Sequence, residues 1–134
     1  MQYPQTAVSI QHWHHMLATG DLSILTTLLA EDVVFRSPVA FKPYVGKAVV
    51  TFILTNVIQV FENFKYDREF FTADHQSVVL EFSANVADKQ LKGIDMIRFN
   101  TEGQIVEFEV MIRSLSGLQA LAEQMGQRIT QFKG

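Results

Sequence analysis

The chain contains no cysteine. Disulfides, thiolate metal sites, iron–sulfur clusters and a cysteine nucleophile are therefore excluded, and a reducing compartment is the natural expectation. It is also poor in charge. Only 19% of its 134 residues are Asp, Glu, Lys or Arg, and the net charge is −3. The eleven Lys and Arg are scattered, so there is neither the concentrated basic face that a nucleic-acid partner requires nor a polybasic membrane anchor. The most apolar window, residues 48–61, is too short to span a bilayer and is interrupted by Thr51, Thr55, Asn56 and Gln59. The first eleven residues show neither a basic start nor a continuous apolar stretch, so no signal peptide is expected. Together these absences point to a cytoplasmic protein that acts on neither membrane nor nucleic acid.

What is present is apolar: 48% of the residues, enough for a sizeable core in one domain spanning residues 1–134. The first half carries helical spacing. Ile10, Trp13 and Leu17 predict a helix over residues 6–19, ended by Gly20, and Asp21 suits the cap of a second, short helix to about residue 30. A β-forming run at 32–37 stops at Pro38, and a loop with Pro43 and Gly46 precedes a third helix over 47–63. The second half alternates. In 77–87, Val78, Leu80, Phe82, Ala84 and Val86 share a face. In 104–113, Val106, Phe108, Val110 and Ile112 oppose Glu107, Glu109, Met111 and Arg113. Residues 64–72 predict a further strand, in which Tyr66 and Arg68 share parity with Phe64 and Phe70 unless a bulge reverses it. Thr101–Gln104 reads as a hairpin turn, and 116–131 as a closing helix with Leu118, Leu121, Ala122, Met125 and Ile129 on one stripe. Segregated helices and a strand meander make the fold class α+β.

One residue breaks the pattern. In 91–100, Leu91, Gly93, Asp95, Ile97 and Phe99 share a face that is apolar except for Asp95. A carboxyl there must be paired, hydrogen-bonded or protonated, and burial raises its pKa. Alternation alone leaves two orientations open: Asp95 inward, or the strand turned over with Ile94 and Met96 in the core. The histidines carry less. His12, His14 and His15 crowd one helix, but no partner motif completes a metal site; His14, one turn past Ile10, is a candidate pocket contact.

Several runs are similar to the opening and the later strands of ketosteroid isomerases and SnoaL-like polyketide cyclases. They are Thr19-Gly20-Asp21-Leu22, Leu28-Leu29-Ala30-Glu31-Asp32-Val33, Ser37-Pro38-Val39, and Ile94-Asp95-Met96-Ile97-Arg98-Phe99-Asn100 followed by Gly103-Gln104-Ile105-Val106. The resemblance covers residues 8–113. It implies a nuclear-transport-factor-like, cystatin-like fold: a cone of curved antiparallel sheet wrapped around the N-terminal helices, with one apolar pocket. It turns Asp95 inward as an acid or base. It also implies that the isomerases' catalytic aspartate is replaced by Ser37, their oxyanion tyrosine by Trp13 and a supporting tyrosine by Leu54, so that their steroid mechanism is not expected here. The site it implies is Asp95 with Trp13, His14, Leu17, Phe35, Ser37, Leu54, Phe82, Ile97, Phe108, Val110 and Ile112 as ligand contacts, and no metal or other cofactor. The expected ligand is a small, largely apolar, cyclic or carbonyl-bearing molecule. Isomerase- or cyclase-type chemistry and a non-catalytic binding or dimerisation module are the two expectations for function, and a homodimer is the expected assembly.

Overall fold

A computed structural model describes residues 4–133. Helix α1 (Pro4–Thr19) ends at Gly20, whose φ of +76° is open to glycine without strain. The Asp21 side chain then accepts from the Ser23 amide at 3.1 Å, capping a short helical segment that ends with α2 (Leu25–Leu28). Strand β1 (Leu29–Arg36) starts earlier than composition predicted, because Leu29 is fully buried and pairs with Ile105. After a two-residue strand β2 (Tyr44–Val45) come α3 (Lys47–Val60) and four long strands: β3 (Glu62–Phe71), β4 (Ser77–Val86), β5 (Lys89–Phe99) and β6 (Ile105–Arg113). Helix α4 (Leu115–Lys133) closes the chain.

The six strands form one curved, open sheet in the order β2-β1-β6-β5-β4-β3. It is mixed rather than wholly antiparallel, since β1 runs parallel to β6. Alternation in a sequence reports which face a side chain occupies; it says nothing about which strand lies alongside or in which direction.

The α+β assignment and the inward face of the sheet agree with the sequence pattern. Phe82, Leu80, Ile97 and Phe108 all lie within 2% of complete burial. Two bulges alter the detail. Between β5 and β6 the register shifts after Arg98, so that Ile105, not Val106, fills the core opposite Phe99. Between β3 and β4, Tyr66 opposes Phe82 while Arg68 opposes Glu81. Two residues on one strand thus advance against one on the other, which sends Tyr66 inward and Arg68 outward.

The outward face is charged. Arg68 grips Glu81 with two bonds of 2.7 and 2.6 Å and holds its carboxyl down to about 2. Arg36 and Arg98 both reach Glu107, at 3.0 and 3.1 Å. At the opposite end, the hairpin after β5 is closed by Asn100, whose side chain accepts from the Glu102 and Gln104 amides. Gly103, at φ +83°, accepts from the Ser9 hydroxyl and so fastens the hairpin to α1. From α4, Leu121 is buried and Met125 partly so; Ile129 lies outside the residues whose side chains are described. No helix among the described residues is long and apolar enough to cross a membrane.

Candidate functional site

The concave face of the sheet, α1, α3 and α4 enclose a cavity of about 400 Å³. Its walls are mostly apolar: Phe35 and Phe108 from the sheet, Leu54 and Val57 from α3, Leu121 and Met125 from α4. Such a cavity with a few convergent polar groups is the usual form of a small-molecule site.

The polar groups converge on Asp95. Strand β5 places this residue between Gly93 and Ile97 on the inward face, and it is 6% exposed. The Tyr66 hydroxyl donates to Asp95 Oδ2 at 2.7 Å, and the Trp13 indole Nε1–H donates to Tyr66 Oη at 2.8 Å. Because an indole can only donate, Tyr66 must accept from Trp13, and its own proton is directed to Asp95. The direction of this three-residue chain is therefore fixed by chemistry. Oδ1 of Asp95 receives no hydrogen bond among the described residues.

Burial pushes the Asp95 carboxyl up from 3.8 to about 7, against the opposing effect of the Tyr66 bond. Burial, reinforced by the neighbouring Asp95 charge, moves the Tyr66 hydroxyl well above its ordinary value, so Tyr66 stays a neutral donor. Packing holds the geometry. Trp13 leans on Phe108 with ring centres 5.3 Å apart, and Tyr66 stands edge-on to Phe64 at 4.9 Å.

Of the residues singled out in the sequence, Trp13, Leu17, Phe35, Ser37, Leu54, Asp95, Phe108 and Val110 line this cavity. Four do not. His14 lies outside it, hydrogen-bonded to Glu69 at 2.9 Å and edge-on to the Tyr66 ring. Phe82 sits behind the wall, stacked on Phe64 at 4.9 Å. Ile97 is sealed in the core, and Ile112 packs with the smaller apolar cluster near α4. Parity puts these strand residues on the right face, but depth along the cone decides whether they meet the cavity. Ser37 accepts from the Val39 amide at 3.0 Å and has no basic group to offer.

The sequence pattern placed Tyr66 only on a face shared with Phe64 and Phe70, and passed over Tyr44, which also lines the cavity. The signal for Tyr44 was slight: a lone aromatic between Pro43 and Gly46, in a strand too short to alternate. Among the described residues no three His, Asp or Glu gather as metal ligands, and His12 and His15 are exposed.

Residues 10–108 match the SnoaL-like domain family. The chain is similar to a crystal structure of a steroid delta-isomerase from Pseudomonas aeruginosa, at 55% identity and a TM-score of 0.93, covering 96% of this chain and 93% of that one. It is also similar to an uncharacterised bacterial protein with a cystatin-like fold from Silicibacter pomeroyi, at 34% identity and a TM-score of 0.84, covering 91% and 85%. A putative isomerase from Bacillus subtilis, 19% identical with a TM-score of 0.68 over 91% and 96% of the two chains, shares the fold. No curated protein matches significantly.

Proposed function

The chain belongs to the SnoaL-like domain family, and from that premise we propose that it binds a small, largely apolar, carbonyl-bearing ring molecule and moves a proton on the carbon beside the carbonyl. The observation that carries this is the Asp95–Tyr66 pair: a buried carboxyl near neutrality, hydrogen-bonded, on the wall of an otherwise apolar cavity. A carboxyl with a pKa of about 7 is suited to both taking and returning a proton at neutral pH.

In the step proposed, ionised Asp95 takes the proton through Oδ1, and the C–H electron pair passes into an enolate. Protonation of Asp95 removes the charge that held the Tyr66 proton. Tyr66, polarised by the Trp13 N–H, then donates to the enolate oxygen in a dry site, where such bonds are strong. Asp95 returns the proton to the same carbon, which is exchange, or to a conjugated carbon, which shifts a double bond. A double-bond shift is what the name of the Pseudomonas relative describes; in this chain Ser37 supplies no base, so Asp95 carries the step.

A pocket that binds without chemistry is the second reading, favoured by Ser37 and Leu54 where the isomerases carry functional groups. One experiment separates the two. In D2O at neutral pH, cyclohex-2-enone, a decalone and a Δ5-3-ketosteroid are offered to the protein. Binding is read from the fluorescence of Trp13, the sole tryptophan, and deuterium uptake beside the carbonyl by NMR. At least one bound probe is expected to exchange, with Asp95→Asn slower by about 100-fold or more. Binding without exchange supports the second reading, and absence of binding contradicts the ligand class.

We further propose a homodimer through the outer sheet face. Met96 and Met111 are 38% and 47% exposed there, set among the ion pairs of Glu81 and Glu107, a mixture suited to a self-complementary two-fold contact. Light scattering is expected to return twice the chain mass of 15.2 kDa; the mass of a single chain at micromolar concentration would contradict it.

A further inference from the structure

Three cations scattered in the sequence meet in the fold. Lys65, Lys92 and Arg113 belong to β3, β5 and β6. Strand register brings them together: Lys65 opposes Ser83 on β4, Ser83 opposes Lys92, and Lys92 opposes Arg113. The four residues form a row across the outer face of the sheet, with parity opposite to Phe82 and Asp95. Lys92 and Arg113 are thus direct cross-strand neighbours of like charge, a pairing that destabilises a sheet. Such a row needs an explanation.

The row lines a groove of about 400 Å³. Besides the three cations, Asn63, Asn85 and Gln90 contribute primary amides to it, and no Asp or Glu lines it. Neither Arg113 nor the three amides make a side-chain hydrogen bond among the described residues. Two carboxylates border the groove, and both are engaged. Glu81 lies 3.6 Å from Lys92 but is gripped by Arg68 through two bonds of 2.7 and 2.6 Å. Asp67 lies 3.8 Å from Lys65 and accepts from the Ser83 hydroxyl at 2.6 Å. Arg68 and the three lining cations against these two carboxylates leave two positive charges in excess, in a chain whose net charge is −3.

We propose that this groove binds a small phosphate-bearing molecule by its phosphoryl group. The match is in charge and in donors. A phosphate monoester carries about two negative charges near neutral pH and three strong acceptor oxygens. Arg113 offers a planar fork that takes two such oxygens, while Lys65 and Lys92 add point charges from the strands on either side of Ser83. The amides supply neutral N–H donors. A dianion cancels the whole excess of charge; a monoanion cancels half. The groove lies on the opposite face of the sheet from Asp95, so the proposal is independent of the proton-transfer reading. Arg113 lies two residues beyond Met111, which places the groove beside the proposed dimer contact.

The test titrates inorganic phosphate, and separately phenyl phosphate, into nitrogen-15-labelled protein and follows the backbone amides by NMR. Saturable shifts are expected at residues 63–65, 83–85, 90–92 and 113–114, with a Kd of about 1 mM or below at low salt. Raising sodium chloride from roughly 20 to 200 mM is expected to weaken binding about tenfold, since the cations are exposed. Arg113→Gln and Lys92→Gln are each expected to weaken it by about tenfold or more, the worth of a charge-assisted hydrogen bond. Lys42→Gln, a cation between β1 and β2, is expected to leave it unchanged. Acetate, a monoanion, is expected to bind at least about tenfold more weakly than either phosphate probe. Unliganded Arg113→Gln is expected to melt no lower than wild type, because a like-charge neighbour is gone. Shifts that do not saturate, acetate binding equal to phosphate, or affinity unchanged in both Arg113→Gln and Lys92→Gln would overturn the proposal. Deuterium exchange through Asp95 is untouched by any of these outcomes.

Discussion

Asp95→Asn is expected to make the protein more stable at pH 8 and to remove most of the pH dependence of its stability between pH 4 and pH 8. The wild-type carboxyl has a pKa of about 7 when folded, against 3.8 when exposed. The native state therefore binds the proton more tightly than the unfolded chain. Its contribution is complete below about pH 4 and declines as pH rises, by about 1.4 kcal/mol per unit, until about pH 7. Over three units that approaches about 4 kcal/mol, released because an ionised carboxyl is costly in an apolar wall. Asparagine keeps the oxygen that accepts from Tyr66 and cannot ionise. Relative to wild type it is expected to gain about 2–4 kcal/mol between pH 4 and pH 8, measured by urea or thermal unfolding at each pH. Parallel pH profiles for the two proteins would contradict this. Asp95→Leu also removes the charge but strips Tyr66 of its acceptor, which costs about 1–3 kcal/mol at every pH.

The second large effect is expected at Tyr66. Tyr66→Phe removes one oxygen that serves two neighbours: the acceptor of the buried Trp13 N–H, 2% exposed, and the donor to Asp95. The unsatisfied indole alone is expected to destabilise the protein by about 1–3 kcal/mol. The functional sign follows from the bond itself. Tyr66 holds the Asp95 pKa down against burial, so its loss moves that pKa further up. The pH profile of deuterium exchange is then expected to shift to higher pH, and the rate to fall because the enolate oxygen loses its donor. A merely structural tyrosine would lower stability and leave the pH profile where it was.

How much of this was legible in the chain depends on which physical signal each residue carried. Asp95 stood out because β5 alternates from Leu91 to Phe99 and only one inward position in that run is polar. Trp13 followed from helical spacing. Tyr66, the group that joins them, was ambiguous because β3 is bulged beside it, and one inserted residue reverses every parity beyond. His14 has the spacing of an inward residue, but it reaches a carboxylate on β3 and stays at the surface. Phe82, Ile97 and Ile112 occupy the expected face at the wrong depth, which periodicity does not encode. The parallel pairing of β1 with β6 and the covering of the cavity by Leu121 and Met125 of α4 are long-range arrangements with no local mark. The methionines and ion pairs on the outer face were legible as a surface, since Met96, Arg98 and Met111 alternate with buried or half-buried neighbours.

In the function proposed, Asp95 is a buried carboxyl that exchanges its proton near neutrality under the direction of Tyr66 and Trp13. The most direct measurement is a titration of the Asp95 carboxyl carbon by NMR, using protein labelled with carbon-13 at aspartate and assigned by Asp95→Asn. A single transition near pH 7 in the wild type, moving upward in Tyr66→Phe, is the expected result. A transition near pH 4, or one that Tyr66→Phe leaves in place, would contradict the account.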